Sequence, residues 1–89
     1  MKISDGFILK EIAGSYVVVP VGQNLVDFSS MITTNETGAF LWDKLQNGAT
    51  VDELCESVMA EYQGVTRTDA LADIEEFINV LKEKNILEQ

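Results

Sequence analysis

Residue types that perform chemistry are scarce in this chain of 89 residues, which has no histidine and one cysteine, Cys55. A serine, threonine or cysteine nucleophile normally needs a base beside it, most often histidine. One cysteine without histidine cannot furnish the usual zinc ligands. No segment has the spacing of a calcium loop or of a glycine-rich phosphate loop. The sequence therefore predicts a protein that is not an enzyme and that holds no metal or cofactor.

Carboxylates are the remaining candidates for chemistry. Pairs such as Glu75 with Glu76 could do acid/base work in principle, but solvated helix faces carry such pairs routinely. At 100° per residue, one stripe of a predicted third helix contains the acids Asp69, Asp73, Glu76 and Glu83. This stripe is the most polarised feature of the sequence, and it is either plain surface or a face for a basic partner.

The net charge of −9 is distributed unevenly along the chain. Residues 51–89 contain ten acids and three bases, and so contribute −7. A field of that sign repels nucleic-acid phosphates and anionic lipid and favours basic partners. It also keeps a small protein soluble. We expect neither nucleic acid nor a membrane surface among the partners.

The length predicts a single domain over residues 1–89, and a hydrophobic content of 46% predicts a folded core. The longest apolar run, YVVVPV at residues 16–21, is too short to cross a bilayer. The first ten residues do not have the pattern of a signal peptide. Cys55 cannot form a disulfide within the chain, which agrees with a reducing compartment. The expected location is the cytoplasm.

The first third of the chain is rich in strand-forming residues. Residues 7–13 (FILKEIA) and 16–21 (YVVVPV), separated by Gly14 and Ser15, predict a hairpin. Three successive valines at 17–19 favour a central strand covered on both faces. Pro20 should mark the end of that strand or a bulge. A turn-rich connector at residues 22–24 follows, and residues 31–34 are the best candidate for a third strand.

Three helices are predicted after the strands. The first is capped by Thr34 or Asn35 and ends at Asn47 and Gly48, with Trp42 expected in the core. The second helix begins with a capping box of Thr50 and Glu53 and ends at Gly64. The third helix begins near Thr66 or Thr68 and ends at Asn85. Cys55 falls on the apolar stripe of the second helix, so we interpret it as structural.

Strands followed by helices, rather than alternating with them, predict an α+β domain with helices packed on a small antiparallel sheet. The segment NETGAFLW at residues 35–42 lies at the junction of the two halves. Its cap defines where the last strand must stop and where the helices begin.

The same segment carries a resemblance to a known family. Asn35, Thr37, Gly38 and Trp42, supported by Gly48 and by the TVDEL start of the second helix, resemble the PqqD family, also called RiPP recognition elements. The resemblance extends from residue 7 to residue 87. It implies a winged-helix-like domain with a three-stranded antiparallel sheet followed by three helices, in agreement with the order of elements above.

Members of that family bind the leader segment of a ribosomally made precursor peptide and present it to a modifying enzyme, often a radical SAM protein. The leader is added as an antiparallel strand to the third strand, against the third helix. The resemblance implies that the strand side of the groove is formed by Met31, Ile32 and Thr33. We chose the helix side from the helical wheel, and it consists of Asp73, Glu76, Phe77 and Val80.

Such β-augmentation needs no catalytic residue, which is consistent with the missing chemistry. We hypothesise that a Lys or Arg of the leader meets Asp73 and Glu76. The resemblance leaves open whether the pathway makes pyrroloquinoline quinone, a lasso peptide or a thioether peptide, whether the partner is a radical SAM enzyme or a peptidase and cyclase system, and whether the chain is a monomer or a strand-swapped homodimer.

Two other functions compete with this hypothesis. A DNA-binding winged helix would share the architecture, but it should present a basic recognition helix, and the third helix is acidic. A carrier protein is also small and acidic, but carriers have a serine preceded by Asp at a helix start. Here Ser57 follows Glu56 within the second helix, and the strand-rich first third also fits a carrier poorly.

Overall fold

A computed structural model describes residues 1–22 and 31–88 of the chain. The elements in that part are β1 (Lys2–Ile3), β2 (Phe7–Ile12), β3 (Ser15–Pro20), β4 (Ile32–Thr34), α1 (Glu36–Leu45), α2 (Val51–Glu61), α3 (Arg67–Glu83) and β5 (Leu87–Glu88). Strands β2, β3 and β4 form an antiparallel sheet in that order. The predicted α+β fold, a three-stranded antiparallel sheet followed by three helices, is confirmed. Residues 23 and 24 of the predicted connector lie outside the described residues.

The hairpin between β2 and β3 closes with a two-residue turn. Ile12 pairs with Ser15, and the turn residues Ala13 and Gly14 have φ angles of 52° and 83°. Two successive residues with positive φ define a type I′ turn, whose twist matches that of the flanking strands. The turn therefore lies one residue earlier than the sequence predicted, because Ser15 belongs to the strand.

Strand β3 is the central strand of the sheet, as the valine run predicted, and it ends at Pro20. Val18 is fully buried under the helices, whereas Val17 and Val19 point to the opposite face and are half-buried. On that outer face Ile8, the partner of Val19, is 39% exposed. The prediction of a strand covered on both faces is thus wrong within the described residues: the helices pack against one face alone.

Each helix begins with a side chain that accepts a hydrogen bond from the backbone of the first turn. Asn35 Oδ1 accepts from Gly38 N at 2.9 Å, and Thr66 Oγ1 accepts from Asp69 N at 3.1 Å, so the structure selects these two caps over Thr34 and Thr68. The capping box of Thr50 and Glu53 is present in both directions. Hydrogen bonds from the Thr50 backbone and side chain lower the pKa of Glu53.

The core lies between the sheet and the three helices. Trp42 is 4% exposed, and Cys55 is fully buried with its Sγ 3.9 Å from the carbonyl oxygen of Arg67, so both occupy the structural positions that the sequence predicted. The fully buried large side chains are Leu41, Leu45, Leu54, Ile74, Leu81, Ile86, Val18 and Val58. None of the helices in the described ranges has the length and hydrophobicity needed to cross a membrane.

A second, two-stranded sheet was not predicted. Strand β1 pairs antiparallel with β5, and Ser4 N donates to the Ile86 carbonyl at 2.7 Å. Ile3 and Ile86 are both buried. Two-residue strands carry no measurable periodicity, so the sequence pattern could not reveal a pairing that joins the two ends of the described chain.

Replacing Ala13 with glycine should stabilise the protein. A left-handed conformation costs a residue with a Cβ about 1–2 kcal/mol, and the larger entropy of glycine in the unfolded state offsets part of the gain. We expect a net increase of about 0.5 kcal/mol in the free energy of unfolding, measured by urea denaturation. Ala72→Gly, on the exposed side of α3, is the control and should destabilise by about 1 kcal/mol. Equal destabilisation by both substitutions would contradict the strain at Ala13.

Candidate functional site

The free edge of β4 is the first component of the candidate site. In the described part of the chain β4 pairs with β3 on one side and has no strand on the other. The register pairs Thr34 with Tyr16, Thr33 with Val17 and Ile32 with Val18. An unpaired edge exposes backbone donors and acceptors that can pair with another chain.

The register also identifies which residue of β4 offers its backbone to that edge. Val21, which directly follows Pro20 at the end of β3, donates its N–H to the Gly6 carbonyl on the β2 side at 2.8 Å. Because hydrogen-bonded and non-hydrogen-bonded pairs alternate in an antiparallel ladder, Val18 and Tyr16 direct their backbone groups toward β4. Ile32 and Thr34 therefore bond to β3, and the N–H and C=O of Thr33 point outward.

A groove of about 330 Å³ runs between this edge and α3. Strand β4 and the start of α1 form one side, and α3 forms the other. The lining residues are Ile32, Thr33, Thr34, Asn35, Thr37, Gly38, Leu41, Asp73, Glu76, Phe77 and Val80. The side chains of Ile32 and Thr34 lie on the helix-facing side of the sheet, whereas that of Thr33 lies on the outer face with Val17.

The lining combines an apolar bed with an acidic rim. Ile32 and Val80 are half-buried and Phe77 is 8% exposed, so these three side chains offer apolar surface to an occupant, and the buried Leu41 lies beneath them. Asp73 and Glu76 of the same lining are exposed. Within the described residues the one ion pair joins Arg67 to Glu56, so neither groove carboxylate has a cation partner there.

The groove depends on a close approach between α1 and β4. A Cβ placed on Gly38 would lie 1.8 Å from Thr34 Oγ1 and 2.9 Å from Thr34 Cβ. Real Cβ atoms do not approach other heavy atoms so closely, so a residue larger than glycine would push α1 away from the strand. The cap bond from Gly38 N to Asn35 holds the same turn of helix in place.

Six of the seven residues predicted as peptide-binding line this one groove: Ile32, Thr33, Asp73, Glu76, Phe77 and Val80. Met31 does not line it. It precedes β4 by one residue and is 42% exposed. By the alternation along the strand, its backbone has the same outward direction as that of Thr33.

The sequence reasoning did not assign the part of the groove formed by the start of α1. In the sequence, Thr34 and Asn35 are alternative caps, Thr37 and Gly38 belong to the family motif, and Leu41 is an apolar residue of the first predicted helix. A glycine in the first turn of a helix, directly after a strand, is a signal for close approach of backbone to another group. That signal could have placed Gly38 at the site.

The polar groups of the groove are of three kinds. Its polar groups are threonine hydroxyls, the Asn35 amide and two exposed carboxylates, and no histidine occurs in the chain. Across residues 1–22 and 31–88, no three metal-binding side chains converge.

This chain matches one protein family and is similar to one solved structure. Residues 8–87 match the family described as coenzyme PQQ synthesis protein D (PqqD). A solved structure titled "TbiB1 in Complex with the TbiA(beta) Leader Peptide" is similar to this chain, with a TM-score of 0.76 and 27% sequence identity over 99% of this chain and 95% of that chain. The comparison with curated proteins gives no match.

Gly38→Ala should destabilise the protein although alanine is the better helix former. Overpacking against Thr34 costs about 1–3 kcal/mol, enough to outweigh a propensity gain of about 1 kcal/mol. Urea denaturation followed by Trp42 fluorescence would measure the change.

The double variant Thr34→Ala/Gly38→Ala is the matched control. Thr34→Ala removes Oγ1 and with it the shortest contact. Gly38→Ala should therefore lower the free energy of unfolding less in the Thr34→Ala protein than in the parent protein. A Gly38→Ala protein as stable as the parent would contradict the close approach.

Proposed function

The chain belongs to the PqqD family, and from that premise we propose that it is a non-catalytic peptide chaperone. It binds the leader segment of a ribosomally made precursor peptide and presents it to a modifying enzyme. The observation that carries the proposal is the free edge of β4 beside an apolar groove. The similar TbiB1 structure, which is a complex with a leader peptide, supports it.

Binding occurs by strand addition at the outward backbone of Thr33. The leader lies antiparallel to β4 and exchanges a donor and an acceptor with Thr33, and a second pair with Met31 where the strand extends that far. Strand addition draws affinity from main-chain bonds and specificity from pockets for alternate side chains.

The alternation at Thr33 assigns the leader side chains to two faces. The leader residue opposite Thr33 places its side chain on the outer face of the sheet, as Thr33 does. The residues immediately before and after it point into the groove, toward Ile32, Phe77 and Val80. The segment recognised is therefore one with apolar residues at positions i and i+2.

Backbone pairing alone does not hold the leader. Four hydrogen bonds at about 0.5–1.5 kcal/mol each give about 2–6 kcal/mol. Association costs about 4–15 kcal/mol in lost freedom. Burying about 300 Å² of apolar surface in the groove would add about 7.5 kcal/mol, so the groove-facing side chains determine whether a peptide binds.

The acidic rim selects for a basic leader and against nucleic acid. Asp73 and Glu76 are exposed at the groove, and a Lys or Arg of the leader supplies the missing cation. The same charges disfavour α3 as a DNA recognition helix, because phosphate contact requires a basic surface. The partner enzyme is a radical SAM protein or a peptidase and cyclase system that takes the bound precursor as substrate.

Amide hydrogen exchange tests the strand addition at single-residue resolution. In the free protein the amides of Ile32 and Thr34 should be protected by bonds to β3, while that of Thr33 exchanges quickly. Saturation with a synthetic candidate leader should slow exchange at Thr33 by at least about tenfold, a gain of roughly 1.4 kcal/mol in protection, and leave Ile32 and Thr34 nearly unchanged. Binding without protection at Thr33 would exclude pairing at this edge.

Charge reversal tests the acidic rim. Asp73→Lys/Glu76→Lys should weaken binding of a leader with a basic residue by about tenfold, since each exposed ion pair contributes about 0.2–1 kcal/mol and the new lysines repel the ligand. Isothermal titration calorimetry would measure the dissociation constant.

The control carries the same change of charge on the same helix, outside the groove lining: Glu75→Lys/Glu83→Lys. It should alter the affinity by less than about twofold. Equal loss of affinity in the two double variants would show that the overall charge of the protein, and not the groove, causes the effect. Unchanged affinity in Asp73→Lys/Glu76→Lys would exclude the electrostatic part of the proposal.

A further inference from the structure

A second concavity lies beside α1, away from the residues that line the groove. It has a volume of about 380 Å³, and we call it the aromatic cup. Three rings and three carboxylates line it: Tyr16, Phe40 and Tyr62, with Glu36, Asp43 and Glu61. Strand β3, helix α1 and the end of α2 each contribute to it, so the cup joins three elements of the fold. It shares no lining residue with the groove.

The rings of the cup are packed and oriented. Phe40 and Tyr62 meet edge to face, with centroids 5.6 Å apart and planes at 75°. Lys44 Nζ lies 5.3 Å from the centroid of Phe40, so one ring of the cup already receives a cation from its own helix. A cation near a ring centroid is attracted by the negative face of the π system.

The carboxylates of the cup are exposed and lack ion-pair partners among residues 1–22 and 31–88, where the ion pair of Arg67 with Glu56 lies elsewhere. Three negative charges and the single positive charge of Lys44 leave the site negative. Burial, followed by the charges of Glu36 and Glu61, raises the pKa of Tyr62, which agrees with a negative field inside the cup. The cup thus combines ring faces and carboxylates in one shallow depression.

We propose that the aromatic cup is a docking site for an arginine side chain of a partner protein. A guanidinium is planar, so it can stack on a ring while its N–H groups donate to carboxylates on either side. Lysine offers a point charge that is more strongly hydrated, and it suits such a site less well. A neutral or acidic side chain gains nothing from the three carboxylates. The inference goes beyond leader binding and does not rest on it.

The test uses the tripeptide acetyl-Gly-Arg-Gly-amide as probe, titrated into labelled full-length protein and followed by amide chemical shifts. A single exposed side chain binds in the millimolar range, about −4 kcal/mol, so the titration runs to tens of millimolar. We expect shifts concentrated at Tyr16, Phe40 and Tyr62. The same peptide with citrulline, which keeps the shape of arginine without its charge, should produce shifts at least about threefold smaller.

Two double variants of equal charge separate the cup from the general acidity of the chain. Glu36→Gln/Glu61→Gln should weaken the binding of the arginine peptide by about three- to tenfold, because two exposed carboxylates are removed from the cup. Glu75→Gln/Glu83→Gln, outside both concavities, should change it by less than about twofold.

Three results would overturn the proposal: no shifts at tens of millimolar peptide, equal weakening by the two double variants, or shifts that follow Asp73 and Glu76 in the groove. A failure of leader binding would appear as unmoved groove amides in a separate leader titration. It would leave the arginine titration and the aromatic cup unaffected.

Discussion

The contact between Gly38 and Thr34 determines how the two halves of the molecule meet. At this point the strand ends and α1 begins, and the missing side chain of Gly38 lets the helix lie directly against the strand. Asn35 caps the same turn, so the direction of α1 is defined within the first residues after β4. Helix α3, which packs mainly against α2, lies across the groove from β4 and the start of α1. A larger residue at position 38 would move one wall of the groove relative to the other.

The short edge strand follows from the same constraint. Unpaired edges invite unwanted pairing, and proteins limit them by keeping them short. Strand β4 has three residues, and the cap at Asn35 prevents it from continuing. In the described structure only Thr33 of this strand directs its backbone outward, so the edge offers little for nonspecific pairing. A segment that also fills the groove gains apolar contacts that a random strand lacks, which makes recognition depend on side chains rather than on backbone.

The caps of the helices could be predicted from neighbouring residues, whereas features that depend on the folded register of the strands could not. The capping box at Thr50 and Glu53 and the end of β3 at Pro20 each depend on residues a few positions apart, and both were predicted. The pairing of β1 with β5 joins residues more than 80 positions apart. Each of these strands has only two residues, which is too short to show a strand pattern in the sequence. The outward direction of Thr33 depends on the bond from Val21 to Gly6 in another hairpin, so it could not be read from β4 itself. The helix side of the groove could be predicted from the sequence, because its residues recur at helical spacing: Asp73, Glu76, Phe77 and Val80.

The distribution of charge and apolar surface around the groove determines which segments it can hold. A chaperone that must deliver its peptide cannot hold it too tightly, and the proposed strand addition would satisfy this requirement, because hydrogen bonds to water would replace those to Thr33 when the peptide leaves. Under the proposal of a basic leader, the acids of α3 act over longer distances than the apolar bed, so they would accelerate encounter more than they would strengthen the final complex. The proposed cup lies apart from the groove, and a partner docked there would leave the leader accessible. Helix α1 contributes lining residues to both the groove and the cup, so a change in its position at one surface would also alter the other.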